Sequence, residues 1–113
     1  MERPEHIFRI LADKNRLRIL MLLRKKKMCV CEFAHILGIT QPSVSRHLKK
    51  LKNAGLIKEE QDSFWTNYYL CGLGRSPAGK LVKDLNQWLK SDSVVRGDMR
   101  KAGAIDRKKI CRP

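Results

Sequence analysis

The chain has 113 residues, enough for one compact domain and too few for two. Its hydrophobic fraction of 42% supports a packed core, while 25 Lys and Arg against 11 Asp and Glu set a formal charge of +14. That balance argues against an enzyme built on an acidic pocket and points to a polyanionic partner, with DNA, RNA and an anionic membrane surface all open on charge alone.

The longest apolar run, Ile19–Leu23, is far short of a membrane span. Met1-Glu2-Arg3-Pro4-Glu5 carries charge where a secretory signal needs an apolar stretch. The expectation is a cytoplasmic protein without membrane association, its four cysteines kept reduced.

From Glu5 to Leu11 the residues Ile7, Phe8, Ile10 and Leu11 predict a short amphipathic helix. Asp13 or Asn15 can cap the next, whose Leu17 and Ile19–Leu23 nearly surround the axis and mark a buried central helix. Lys25, Lys26 and Lys27 end it, cations at its negative pole. A third helix starts near Cys31, turns Phe33, Ala34 and Leu37 inward and stops at Gly38. Thr40 then serves as N-cap, with Gln41 and Pro42 in the first turn of a fourth helix. Val44, Leu48 and Leu51 fall on one face of that helix at i, i+4, i+7, and Gly55 terminates it.

Ile57–Glu60 and Phe64–Leu70 read as two strands around Gln61-Asp62-Ser63, the second rich in aromatic and β-branched residues. Gly72–Pro77 reads as a loop, and a fifth helix carries Leu81, Leu85, Trp88 and Leu89 on one stripe with Val82 beside it. From Ser91 the pattern weakens, so residues 1–90 are read as the folded domain and 91–113 as a basic C-terminal tail.

Cys31–Gly55 is helix, short glycine-containing turn, helix, an arrangement whose second helix enters the major groove of DNA. With Val44, Leu48 and Leu51 turned inward, the opposite arc presents Pro42, Ser45, Arg46 and Lys49, flanked by Gln41, Ser43 and Lys50. Gln and Arg can bond base edges bidentately, Ser reaches bases or phosphate, and Lys neutralises phosphate. A solvated face would need no such mixture. The two nearest cysteines, Cys29 and Cys31, precede or open the third helix, where its positive pole and three upstream lysines favour thiolates. Thiolates suit soft ions. His35 lies one turn beyond Cys31 and reads as an ordinary half-exposed helix residue, and His47 as a packing or DNA residue.

Three segments also carry a resemblance: Leu11-Ala12-Asp13-Lys14-Asn15-Arg16-Leu17-Arg18-Ile19-Leu20, Cys29-Val30-Cys31-Glu32, and Gln41-Pro42-Ser43-Val44-Ser45-Arg46-His47-Leu48. Together they resemble the bacterial ArsR/SmtB metalloregulators, in register over roughly residues 5–90. The resemblance implies a mainly α (α+β) winged helix-turn-helix of about five helices and a two-stranded wing, acting as a homodimer. It also implies a repressor, not an enzyme, that leaves a pseudo-palindromic double-stranded operator when an inducer binds.

DNA contacts carry over to Gln41, Ser43, Ser45 and Arg46, with Lys49 and Lys50 on the same face. The dimer interface carries over to the first and fifth helices, through Ile7, Phe8, Leu81, Leu85, Trp88 and Leu89. Many relatives have a cationic wing tip, whereas Glu59-Glu60-Gln61-Asp62 here would repel phosphate, leaving Lys58 to reach the backbone.

In this family Cys-Val-Cys resembles the arsenite and antimonite site, or part of a cadmium/lead site. The implied inducer is As(III) or Sb(III), with no organic cofactor. A pyramidal As(III) centre takes three thiolates, and the position that supplies the third in related arsenic repressors is Ala34 here. Cys111 is the candidate third ligand, with Cys71 the alternative and otherwise a buried small hydrophobe. A zinc site on the fifth helix would need histidine beside Asp84, and none follows. A redox- or persulfide-responsive thiol pair, or a Cd/Pb response, is the alternative on the same fold. A Cys31/His35 thiol enzyme lacks any oxyanion site.

Overall fold

Side-chain caps mark where most of the helices begin. The computed structural model describes residues 3–71 and 76–111, and among these lie seven helices and one two-stranded antiparallel sheet. Helix α1 (Pro4–Leu11) leads to α2 (Lys14–Lys25), whose N-cap Asp13 accepts from the backbone N–H groups of Asn15 and Arg16 at 2.9 and 3.1 Å. Helix α3 (Val30–Leu37) starts at Cys29 and ends at Gly38, whose φ of 71° is the left-handed conformation glycine adopts without penalty. Thr40 caps α4 (Gln41–Asn53) by accepting from the Ser43 N–H at 3.2 Å.

The strands β1 (Ile57–Asp62) and β2 (Trp65–Leu70) pair from Ile57 opposite Leu70 to Asp62 opposite Trp65. Ser63 and Phe64 make the tip, and Ser63 takes a positive φ of 56°. Relative to the sequence reading, β1 gains Gln61 and Asp62 from the turn and β2 gives up Phe64 to it. Met28 forms a further antiparallel bridge to Tyr68 and ties the chain just before Cys29 to the wing.

The core gathers on α2, where Ile19, Leu20, Met21 and Leu22 are almost fully buried against Phe33, Ile36, Val44, Leu48, Leu51 and Ile57. The central helix, the inward face of α4 and the glycine stop of α3 follow the sequence pattern. Of the expected loop Gly72–Pro77, residues 72–75 lie outside the described residues. Pro77 belongs instead to α5 (Pro77–Leu89), because Ser76 Oγ accepts from the Gly79 N–H at 3.0 Å and caps it.

The segment read as a basic tail is mostly helical. Asp92 caps α6 (Ser93–Ala104), and Asp106 caps the single turn α7 (Arg107–Ile110). Helix α6 turns Val95, Asp98 and Ala102 inward, and Arg18 of α2 donates two hydrogen bonds to the Asp98 carboxylate, at 2.8 and 2.9 Å. The helix count therefore exceeds the five expected.

Candidate nucleic-acid interface and thiol site

Helix α4 buries Val44, Leu48 and Leu51 and exposes Gln41, Pro42, Ser45, Arg46, Lys49 and Lys50, with Ser43 half-buried beside them. Arg46 Nη2 donates to Ser43 Oγ at 3.0 Å, which holds two of the residues predicted to contact DNA together. The pose of α4 depends on a cluster behind it. Arg16, itself buried, donates through Nε to the Ile10 carbonyl oxygen and through Nη1 to His47 Nδ1, the latter at 3.1 Å. Two of the motif segments meet here, so His47 serves packing. Burial pushes the His47 pKa below its usual value; the nearby Asp13 carboxylate, whose Oδ1 lies 4.0 Å away, opposes that shift, and the Arg16, Lys50 and Arg46 charges reinforce it.

The acidic wing differs from a plain repulsive surface. Lys52 pairs with Glu59, and Lys27 Nζ lies 2.7 Å from Glu60 Oε1. Glu59 and Glu60 are neutralised within the protomer, at the expense of Lys52, which stays exposed but is paired.

Three cysteines converge. Cys29, Cys31 and Cys111 line one cavity of about 470 Å3 together with Gln41 at the start of α4 and Phe64 and Trp65 at the wing tip. Cys31 and Cys111 are joined as a disulfide, their Cα atoms 5.7 Å apart, which corrects the expectation of four reduced thiols. The turn of α7 makes this possible by laying Cys111, 80 residues away in sequence, against the start of α3.

Cys29 stays free but buried at the N-cap of α3, where its backbone N–H donates to Glu32 Oε1 at 3.0 Å. Burial pushes its thiol pKa up, and the Glu32 carboxylate adds to that, although the Glu32 backbone N–H and Arg107 act the other way. The expectation of a readily ionised Cys29 is therefore corrected: desolvation outweighs the helix pole. Among the described residues no three His, Cys, Asp or Glu side chains are already arranged around a metal position. Cys31 and Cys111 fit a thiophilic ion once their bond is reduced, and Cys29 has to leave its cap to join them.

Cys71 is half-buried and lines a different cavity with Arg24, Lys80 and Lys83. Of the two candidates for a third ligand, Cys111 is the one placed beside Cys31. His35 and Asp84 are exposed.

Elsewhere, Pro4, Ile7 and Phe8 of α1 and Pro77, Ala78 and Leu81 of α5 line an apolar groove of about 330 Å3. Phe8 and Trp88 are exposed, Ile7 is buried, and Leu81, Leu85 and Leu89 lie half-buried against the chain's own core. Only part of the predicted interface stripe is thus free.

Sequence reasoning missed Glu32, Asn67, Trp65 and Arg107. Arg107 Nη2 donates to Glu32 Oε1 and to Asn67 Oδ1, both at 2.7 Å, and its guanidinium lies 5.1 Å from the centre of the Trp65 ring. The caps Asp92 and Asp106 were the available signal that residues beyond Ser91 fold.

A helix-turn-helix followed by a β-wing is the architecture of winged-helix DNA-binding proteins. Comparison with known proteins narrows the class. Residues 13–59 match the family described as bacterial regulatory protein, arsR family. The arsenic resistance transcriptional regulator ArsR1 of Pseudomonas putida is 35% identical, over 85% of this chain and 79% of that protein. The arsenical resistance operon repressor of Escherichia coli is 34% identical, over 96% and 95%. The solved homodimeric winged helix-turn-helix DNA-binding domain of Mb0332 from Mycobacterium bovis shares the fold at 23% identity and a TM-score of 0.65, over 76% of this chain and 77% of that one. This chain belongs to the ArsR family of DNA-binding transcriptional regulators, and it is not an enzyme. No helix among the described residues is long and apolar enough to cross a membrane.

Proposed function

We propose that this chain is a cytoplasmic homodimeric repressor that reads a pseudo-palindromic operator through α4 and leaves it when As(III) or Sb(III) is bound by Cys29, Cys31 and Cys111. The observation that carries the reading is the shared cavity: the three thiol-bearing residues and Gln41 of the recognition helix line the same space. An ion drawn into that space acts on the N-terminal turn of α4, where base contacts are made.

Gln41, Ser43, Ser45 and Arg46 contact bases and the adjacent backbone, and Lys49 and Lys50 neutralise phosphate. Residues 1–90 carry DNA binding and dimerisation, and the basic segment 91–113 continues that domain, its α6 packed on the same core and its Cys111 at the thiol site. Dimerisation joins α1 to α5 across the apolar groove, covering Phe8, Leu81 and Trp88. The names of the Pseudomonas putida and Escherichia coli relatives favour an arsenical signal.

The chemistry is exchange of three oxygen ligands of arsenous acid for three sulfurs, releasing three waters, and it requires the Cys31–Cys111 bond to be reduced first. The disulfide itself favours a second reading on the same fold, in which oxidation of this pair is the signal. Substituting Cys29→Ser with Cys31→Ser distinguishes them under reducing conditions. Arsenite is expected to dissociate wild-type protein from operator DNA and to leave the variant bound. Equal release of both proteins would overturn the assignment of the site.

A further inference from the structure

We infer that Arg107 is the positioning residue that carries the state of the thiol site to the wing. The inference rests on the reading of Cys31 and Cys111 as the sensing thiols.

Helix α7 has almost nothing else to hold it. None of its four residues is buried, and Lys108, Lys109 and Ile110 are exposed. Its attachments are the bond from Cys111 to Cys31 at one end and the Arg107 guanidinium at the other. The two are geared, because Arg107 and Cys111 stand one helical turn apart and the Cys111 N–H donates to the Arg107 carbonyl oxygen at 2.7 Å.

The guanidinium ends where the wing meets the thiol site. Glu32, 3% exposed, accepts both from Arg107 and from the backbone N–H of Cys29. Asn67 of β2, 6% exposed, accepts from the same nitrogen of Arg107, and Trp65 offers its ring face. A bridge between Cys31 and Cys111, whether a sulfur–sulfur bond or a shared ion, therefore seats Arg107 between α3 and β2. Loss of that bridge leaves one exposed turn to pay the ordering entropy of the whole segment, and the buried Asn67 of the wing loses Arg107 as its donor. The Met28–Tyr68 bridge is a separate backbone tie that does not involve Arg107, so the wing is expected to loosen without detaching.

Hydrogen exchange across residues 57–70 tests this in the full chain, with the thiols reduced and after closure by glutathione disulfide. In the closure the Cys31 thiolate attacks glutathione disulfide and expels one glutathione thiolate. Cys111 then displaces the second, so two protein thiols become one disulfide and one glutathione disulfide becomes two glutathiones. Closure is expected to slow wild-type wing exchange about tenfold, within the usual range of coupling between sites.

Arg107→Met should abolish the wing response while residues near Cys31 still respond, and Arg107→Lys should restore part of it. Because Arg107→Met strands the buried Glu32 charge, the pair Glu32→Gln with Arg107→Met is measured alongside. A wild-type response in that double variant, or no wing response in wild type, overturns the inference. An added arsenite arm separates the two proposals: a reduced wild type indifferent to arsenite removes the metalloid reading, and the disulfide arm still decides on Arg107.

Discussion

Replacing Lys49 by Gln removes one exposed cation from each recognition helix, and the salt dependence of operator binding reads that loss directly. Arg46, Lys49 and Lys50 are exposed, and among the described residues none of them is paired with a carboxylate. Lys52, by contrast, is engaged by Glu59. Two recognition helices then place about six cations on phosphate, for a slope of log affinity against log salt of about −5 and roughly a thousandfold loss between 50 and 200 mM. Lys49→Gln should flatten that slope by about 2 units for the dimer.

The internal control is Lys52→Gln, which removes a cation already neutralised within the protomer and should change the slope little. Glu59→Gln should release Lys52 and steepen it. Fluorescence anisotropy of labelled operator DNA at several salt concentrations gives all four slopes. A wild-type slope shallower than about −2, or equal flattening by Lys49→Gln and Lys52→Gln, would refute the assignment of phosphate contacts.

Asp98 is 2% exposed and takes two hydrogen bonds from Arg18, so Asp98→Ala should cost about 2 kcal/mol and roughly 8 °C in Tm by leaving the half-buried Arg18 guanidinium with Asn15 as its remaining acceptor. A loss under about 1 kcal/mol in urea unfolding would show that α6 is not anchored by this pair. Reducing the Cys31–Cys111 bond, which closes a loop across 80 residues of sequence, should lower unfolding free energy by about 4 kcal/mol. Identical urea midpoints with and without dithiothreitol would contradict that. His47 has its pKa lowered in the fold, first by burial, so the unfolded chain binds the proton more readily. Stability should accordingly fall as pH drops through the ordinary histidine range, and His47→Gln should remove that slope. Asp13, whose own burial is outweighed by backbone N–H bonds from Arg16 and Asn15 and by the Arg16 and His47 charges, has a lowered pKa and acts in a separate, more acidic window.

The helix-turn-helix was legible because its signals are local. Gly38, Thr40 and the spacing of Val44, Leu48 and Leu51 each act within a few residues, and the structure uses all of them in the expected way. What sequence periodicity could not carry was pairing at long range. Asp98 reaches back to Arg18 and Arg107 to Glu32, and a charged residue bound for burial looks the same in sequence as one bound for solvent. The basic composition of residues 91–113 therefore masked two caps and a buried stripe of Val95, Asp98 and Ala102. Cys29 shows the same limit from the other direction. Its place before a helix was evident, yet its acidity depends on burial, which only packing reveals.

The claim that a thiophilic ion controls DNA binding is tested most directly by one titration. Labelled DNA from upstream of the chain's own gene is bound by reduced wild-type protein, and arsenite is added while anisotropy is followed. A fall to the value of free DNA, with no fall in a Cys29→Ser, Cys31→Ser, Cys111→Ser variant, is the expected result. Tight binding undisturbed by arsenite would contradict it.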